Sequence, residues 1–367
     1  LAPGERFQTP EAALSYSDQG LNGMSQLYHR LYRTRLVRGS WRDRVRPILI
    51  NNWEATYFDF DEEKILTIAK RAKELGIEMF VLDDGWFGKR NIDNCSLGDW
   101  VVNREKLVGG LEGVSEKIHA LGMKFGLWFE PEMVSPDSDL YRAHPDWCLH
   151  IPGRDRTEER NQLILDLSRR EVQDYIVEAV SSVLESTQID YVKWDMNRNM
   201  TEAFSASQLP EGQLETQHRY MLGLYSVLDR IVSRFPEILF ESCSGGGGRF
   251  DAGLLYYMPQ TWTSDDTDAI ERLSIQYGTS FAYPASAMGA HVSAVPNHQT
   301  GRITSMKLRG DVALGGNFGY ELDLSKLNEA DAEVVRQQVE FVKRVRKLTQ
   351  TGVFTRLLSP FEGRYTA

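Results

Sequence analysis

Two hydrophobic periods take turns along residues 47–350. RPILINNW is a short apolar run rich in branched residues. It leads into DEEKILTIAKRAKELG, where Ile65, Ile68, Ala69 and Ala72 recur at helical spacing. Positions i, i+3, i+4 and i+7 share one face of a 3.6-residue helix. Asp61 opens this segment, acids fill its first turn and Gly76 closes it, which are helix start and stop signals. The unit then recurs. IEMFVLDDGW is a second strand, Val114, Ile118 and Leu121 mark a helix closed by Gly122, MKFGLWFEPE is a third strand, and SRREVQDYIVEAVSSVLEST is the next helix. IDYVKWDMNR reads as strand four, roughly 214–235 as a long helix, and EILFESCSGGGG as strand five. MPQTWTSDD, SFAYPASAMG and DVALGGNFGY are weaker candidates for strands six to eight, before a final helix over EADAEVVRQQVEFVKRVRKL.

Strands that are continuous apolar runs are covered on both faces, and their alternation with helices indicates a parallel sheet. Eight units over about 280 residues predict an α/β (β/α)8 TIM barrel, here residues 46–350. The alternative is a doubly wound open sheet, but strand one ends in NNWEA without the glycine fingerprint such sheets often carry. Residues 1–40 show no sustained period, so 1–45 read as a linker or the margin of a further domain. Residues 351–367 resume β-type residues and read as the start of another. A chain that begins at Leu1 and stops mid-pattern reads as a fragment of a longer polypeptide.

Composition narrows the function. At 367 residues, 41% hydrophobic and 26% charged, the chain is an ordinary globular protein rather than a disordered or fibrous one. No apolar run reaches the length of about 18 residues that a membrane helix needs. A net charge of −10 lacks the basic footprint of a nucleic-acid binder. Cys95, Cys148 and Cys243 are too few and scattered for a disulfide framework, and the seven histidines offer no H-x-x-x-H zinc pair, so no metal or cofactor is expected. No signal-like segment is visible. That points to the cytoplasm, with secretion left open because the start reads as truncated.

Active sites of such barrels lie at the C-terminal ends of the strands, and here those ends are loaded. They carry Asn51, Asn52, Trp53 and Glu54; Asp83, Asp84 and Trp86; Trp128 and Glu130; Lys193, Trp194, Asp195 and Asn197; Glu241, Cys243 and glycines 245–248; and Trp262, Asp265 and Asp266. A lone Asp would be read as a helix cap, but carboxylates from several strands around one cavity are costly unless used. Carboxylates mixed with tryptophans suit a sugar, whose hydroxyls take polar partners and whose ring faces lie on aromatic rings. Glycoside hydrolysis needs two carboxyl groups flanking the bond, one ionised and one protonated. Lys193, Asp195 and Asn197 alternate, so Lys193 is expected beside Asp195, holding it ionised as a nucleophile. Asp265 or Asp266 supplies the acid, and one of them caps the helix beginning near Asp268. The glycines after Cys243 are read as room for the sugar ring, since no phosphate-loop Lys or Ser/Thr follows.

VLDDGWFG, GLWFEPEMVSPDSDL, RNQLILDLS, YVKWDMNR, ESCSGGGGRFD and TWTSDDTDAIERL together resemble the catalytic domain of bacterial α-galactosidases of glycoside hydrolase family 36. FQTPEA and GLNGMSQLYHR resemble the segment joining that family's N-terminal β-sandwich to its barrel. The resemblance implies a retaining double displacement with Asp195 as nucleophile and Asp265 as general acid/base, their carboxyls about 5–5.5 Å apart. It implies that Asp83 and Asp84 bind galactose hydroxyls, that Trp128, Arg160, Lys193, Asn197, Cys243, Gly245, Gly246 and Trp262 complete the pocket, and that Trp53 stands at its mouth. It further implies α-galactoside oligosaccharides of the melibiose and raffinose type as substrates, and a homo-oligomeric full-length protein. An α-N-acetylgalactosaminidase and a transgalactosylase are the same-class alternatives. A metal-assisted barrel enzyme with Asp83, Glu130 and Asp195 as ligands is the remote one.

Overall fold

In the computed structural model, which describes residues 3–363 and 365–367, eight parallel strands close into a barrel. They are β1 (Leu49–Asn51), β2 (Met79–Leu82), β3 (Lys124–Phe129), β4 (Tyr191–Trp194), β5 (Leu239–Ser242), β6 (Gln260–Trp262), β7 (Met288–Ser293) and β8 (Asn317–Glu321). Each pairs with its successor, and β8 returns to β1 through Leu49–Gly319 and Ile50–Tyr320. Around them run α2 (Glu62–Glu74), α3 (Gly110–Ala120), α4 (Arg170–Ser186), α5 (Thr216–Arg234), α6 (Ala252–Tyr257), α7 (Ala269–Thr279), α8 (Met306–Ala313) and α9 (Glu329–Thr351), all after α1 (Gly20–Leu31) near the start. The (β/α)8 expectation holds.

Local chemistry accounts for the elements. Asp61 caps α2 by accepting the Lys64 N–H, and Ile65, Ile68, Ala69 and Ala72 are the buried face. Outward strand side chains, including Ile50, Phe80, Leu82, Leu127, Phe129, Val192, Trp194 and Phe240, pack against the helices in one large core. Inward positions change character along the barrel. Leu49, Met79, Val81, Tyr191 and Leu239 form an apolar plug with Trp41. Two residues further along these strands stand Asn51, Asp83, Lys193 and Glu241, because alternate side chains share a face. The barrel is therefore apolar at the N-terminal end and charged at the C-terminal mouth.

Two expectations are corrected. Residues 20–31 are helical, although 1–40 show no apolar period. Helix α1 turns polar residues inward: the Ser25 hydroxyl donates to the Phe281 carbonyl (2.8 Å), and His29 meets the Ser280 carbonyl (2.8 Å), while Leu21, Leu27 and Leu31 face outward. Strand seven also lies later than SFAYPASAMG suggests. Residues 285–287 form a 3-10 turn after Pro284, and the strand is MGAHVS. Its inward Gly289 and His291 dilute the apolar signal. After α9 the chain returns to α1, where the Arg356 guanidinium donates to the Ser280 carbonyl and the Ser25 hydroxyl. Leu358 and Ala367 then exchange backbone hydrogen bonds. Residues 1, 2 and 364, which fall in the expected terminal segments, lie outside the described residues. Among the described residues no helix is long and apolar enough to cross a membrane.

Candidate active site

The charged mouth encloses a cavity of ≈ 220 Å³. Asp83, Asp84, Trp128, Lys193, Asp195, Asn197, Trp262 and Asp265 line it from the ends of β2, β3, β4 and β6, with Trp53 after β1 and Arg160 on the loop following β3. These ten predicted residues are brought together. A larger cleft of ≈ 980 Å³ between α3 and α4 contains none of them. Its Asp99 carboxylate is occupied by the Asp139 and Leu140 N–H groups.

The ion pairing differs from the expectation. Lys193 does not pair with Asp195. Its Nζ lies 3.0 Å from Asp83 Oδ2, with both side chains under 10% exposed, and Asn51 donates to the same oxygen at 2.6 Å. Strand β4 ends at Trp194, the Asp195 N–H still reaches the Phe129 carbonyl at 2.7 Å, and Lys193 is drawn to the acid at the end of β2 instead. Burial alone would lower the Lys193 pKa, but Asp83 and other acids raise it well above its ordinary value, so it stays an ammonium. Asp195 instead accepts from Trp128 Nε1 (3.1 Å), Asn197 Nδ2 (2.8 Å) and its neighbour Met196 N–H (2.9 Å). Asn197 Oδ1 in turn receives the Gly245 N–H at 2.9 Å.

Asp84 is gripped by Arg90, with Nε 3.1 Å from Oδ1 and Nη2 2.9 Å from Oδ2. Burial still raises its pKa against that attraction. Asp265 is pushed to about 6, first by burial and then by the Asp195 charge, with Lys193 opposing. The neighbouring acid serves the backbone instead. Asp266 accepts the Asp268 N–H (3.0 Å), and Asp268 itself caps α7. Arg160 stands at the tip of a two-residue hairpin turn closed by Glu159 and Gln162, where Arg160 (φ 54°) and Asn161 (φ 59°) both have left-handed backbone. A left-handed backbone is uncommon outside glycine, and here it aims a guanidinium at the cavity.

Three predicted residues, Cys243, Gly245 and Gly246, are not among those lining the cavity. Cys243 is buried and its thiol pKa raised well above normal, mainly by burial. Glycines 246 and 247 make room for a neighbouring backbone. A Cβ on Gly246 would lie 2.4 Å from Ser264 Cα, and one on Gly247 2.5 Å from the Thr263 oxygen. They let the loop after β5 pair with the segment carrying Asp265. A Cβ on Gly245 would be 4.0 Å from Asp265 Oδ2 and 3.8 Å from Asn197 Oδ1, so this glycine adjoins the carboxylates. Trp262 is held by a stacked His291 ring (4.4 Å) and by the Arg272 guanidinium 4.0 Å from its centroid.

Phe58, Asp93, Thr267, His298, Gln299 and Glu321 also line the cavity and were not predicted, and so does Glu54, which was named at the end of strand one but given no role. Glu54 and Glu321 carry the strand-end signal that found the others, whereas HQT lies in a loop without one. Glu54 is pushed to about 8 by burial and then by Glu321. Glu130 is pushed to about 8 by burial and then by Asp195, and it accepts the Asn197 N–H at 2.5 Å. Glu130 does not line the cavity, and Asp83 and Asp195 are engaged by protein donors. Among the described residues no group of three His, Cys, Asp or Glu side chains is placed to hold a metal, so the residues present do not fit the metal-assisted alternative.

Comparison with known proteins follows the same residues. The Melibiase family model matches residues 6–352. The chain is 69% identical over 367 residues to α-galactosidase AgaA of Geobacillus stearothermophilus, covering 100% of this chain and 50% of that protein. It is 54% identical over 357 residues to α-galactosidase Mel36A of Lactobacillus acidophilus, covering 97% and 49%. The AgaA crystal structure superposes with a TM-score of 0.94 at 70% identity, covering 95% of this chain and 48% of that one. A variant of AgaA in complex with stachyose gives 0.98 at 69%, covering 99% and 51%. The chain thus spans about half the length of these relatives. Because the family match runs through all eight strands and every strand end that faces the cavity, the chain belongs to the Melibiase family.

Proposed function

We propose that this chain carries the catalytic centre of a retaining α-galactosidase acting on terminal α-galactosyl groups of melibiose- and raffinose-type oligosaccharides. The observation that carries the reading is a pair of carboxyls on one small cavity in opposite settings. Asp195 is held by three donors, whereas Asp265 is raised to about 6 and has no donor of its own among the described residues. Asp195 attacks the anomeric carbon as the glycosidic C–O bond breaks. Asp265 gives its proton to the departing oxygen. The Asp265 carboxylate then takes a proton from water, whose oxygen displaces Asp195 and restores the starting configuration. This geometry requires the two carboxyls about 5–5.5 Å apart. Asp83, Asp84, Lys193 and Arg160 supply charged partners for hydroxyls, and Trp53 an apolar surface at the mouth. Relatives solved with raffinose and with stachyose support the substrate class.

The test uses p-nitrophenyl α-galactoside with wild type, Asp195→Ala and Asp265→Ala. Asp195→Ala is expected to lose turnover, and azide to restore it with formation of β-galactosyl azide, since a small anion can replace the carboxylate. An Asp195→Ala protein near the wild-type rate, or one that azide neither rescues nor diverts, would overturn the double displacement.

A further inference from the structure

Among the described residues the Asp265 carboxyl accepts no hydrogen bond, so the backbone that carries it sets its aim. That backbone, residues 263–268, is tied at its ends through the Thr263 hydroxyl to Arg272 and through the Asp268 carboxylate to Thr300 and Arg302, and it has two supports nearer to Asp265. On one side Gly246 pairs with Ser264. On the other side stands Thr267, two residues beyond Asp265. Its carbonyl accepts the Ser293 hydroxyl at 2.9 Å. Its own hydroxyl accepts Asn297 Nδ2 at 3.0 Å and donates to Glu54 Oε1 at 2.6 Å. The Glu54 carboxyl also accepts the Ala294 N–H at 3.3 Å and lies 3.4 Å from His298 Nδ1, with its side chain 3% exposed. One buried carboxyl therefore joins the turn after β1, which carries Trp53, to the loops after β6 and β7.

We propose that Glu54 is a positioning residue that holds the Asp265 segment against the Trp53 turn, so that the acid meets the departing oxygen. The proposal rests on the α-galactosidase reading above and adds to it a residue that transfers no proton itself. Neither neighbour could substitute. Thr267 has one hydroxyl, already engaged on both its donor and acceptor sides, and Trp53 offers no acceptor. Without Glu54, Thr267 keeps Asn297 and Ser293 but loses its tie to the first strand. A misplacement of the acid by a fraction of an ångström penalises only those steps that need its proton.

The leaving group separates the two cases. A 2,4-dinitrophenolate departs without a proton, whereas the sugar alkoxide of melibiose requires one. kcat/KM is measured on both substrates for full-length wild type, Glu54→Gln, Glu54→Ala and Thr267→Val, with thermal unfolding to confirm folding. Glu54→Ala and Thr267→Val are expected to lower kcat/KM at least about tenfold more on melibiose than on the dinitrophenyl galactoside, a fraction of the about 10²–10⁴-fold that a general acid supplies. Glu54→Gln keeps an acceptor for the Thr267 hydroxyl and is expected to recover most of that difference. Should Glu54→Ala fail to fold, Thr267→Val and Glu54→Gln decide the matter. Equal falls on both substrates, or none, overturn the proposal while leaving the site's function standing. A wild type that cleaves neither substrate overturns that function and the proposal together.

Discussion

Asp265 and Asp84 are both acids lining the same mouth, yet their neighbours give them different work. Asp265 has no ion-pair partner among the described residues and is raised to about 6, chiefly by burial and next by Asp195. A raised pKa means that the proton is held below about 6 and lost above it. In the proposed mechanism the first chemical step needs that proton, so kcat/KM on melibiose is expected to fall as pH rises through about 6, and Asp265→Ala to abolish that limb. A pH–rate profile that stays flat through this region would remove the assignment. Asp84 is instead compensated by Arg90, with the two side chains 9% and 4% exposed. Breaking one side of a buried pair leaves an unpaired charge and costs about 3–5 kcal/mol. Arg90→Met is therefore expected to lower stability in urea by about that amount and to raise KM, because Asp84 lines the cavity.

At the scale of elements, the loop after β5 and the helix α1 are both held by contacts that hydrophobic patterning does not describe. Gly246 has φ 84° and a backbone neighbour 2.4 Å from where a Cβ would stand. Gly246→Ala must displace the Asp265 segment or strain its own backbone, at about 1–3 kcal/mol for the strained backbone alone. It is expected to reduce kcat more than stability accounts for, as seen by comparing turnover with the melting temperature. Helix α1 hangs on Ser25, His29 and Arg356 rather than on leucines. Arg356→Ala removes donors to the Ser280 carbonyl and to Ser25. Amide exchange across residues 21–31 should then quicken while exchange in the barrel strands stays unchanged.

Across the whole molecule, Glu132 joins parts of the chain far apart in sequence. Fully buried just beyond β3, it accepts Arg249 at 2.6 and 2.7 Å, the Tyr220 hydroxyl at 2.6 Å and Trp194 Nε1 at 2.9 Å. It thus ties β3 to β4, to α5 and to the loop after β5. Glu132→Ala strands the Arg249 guanidinium, which is 11% exposed, and should cost about 3–5 kcal/mol in equilibrium unfolding. A loss below about 1 kcal/mol would show the hub to be dispensable.

Much of this is legible in the chain. Local periodicity reports which face of a segment is buried, so α2 and its cap, seven of the eight strands near their observed places, and the loading of strand ends all follow from sequence. Nine of the ten predicted residues that line the cavity stand at strand ends for that reason, whereas Arg160, on a loop, came from the family resemblance. Periodicity is silent on what a buried face meets. Lys193 finds Asp83 across 110 residues, because barrel closure brings the end of β2 to its ammonium while Asp195 is taken up by Trp128, Met196 and Asn197. Gly246 and Gly247 serve a neighbouring backbone, and Glu54 closes onto a loop more than 200 residues away. Strand seven and α1 escape because glycine and polar residues fill their inward faces. The order of residues alone is enough for a (β/α)8 barrel with acids and tryptophans at its mouth, since local period and strand-end chemistry are properties of neighbouring residues. Which acid pairs with which cation, and which is left unpaired, follows only once the closed barrel brings distant strand ends within hydrogen-bond reach.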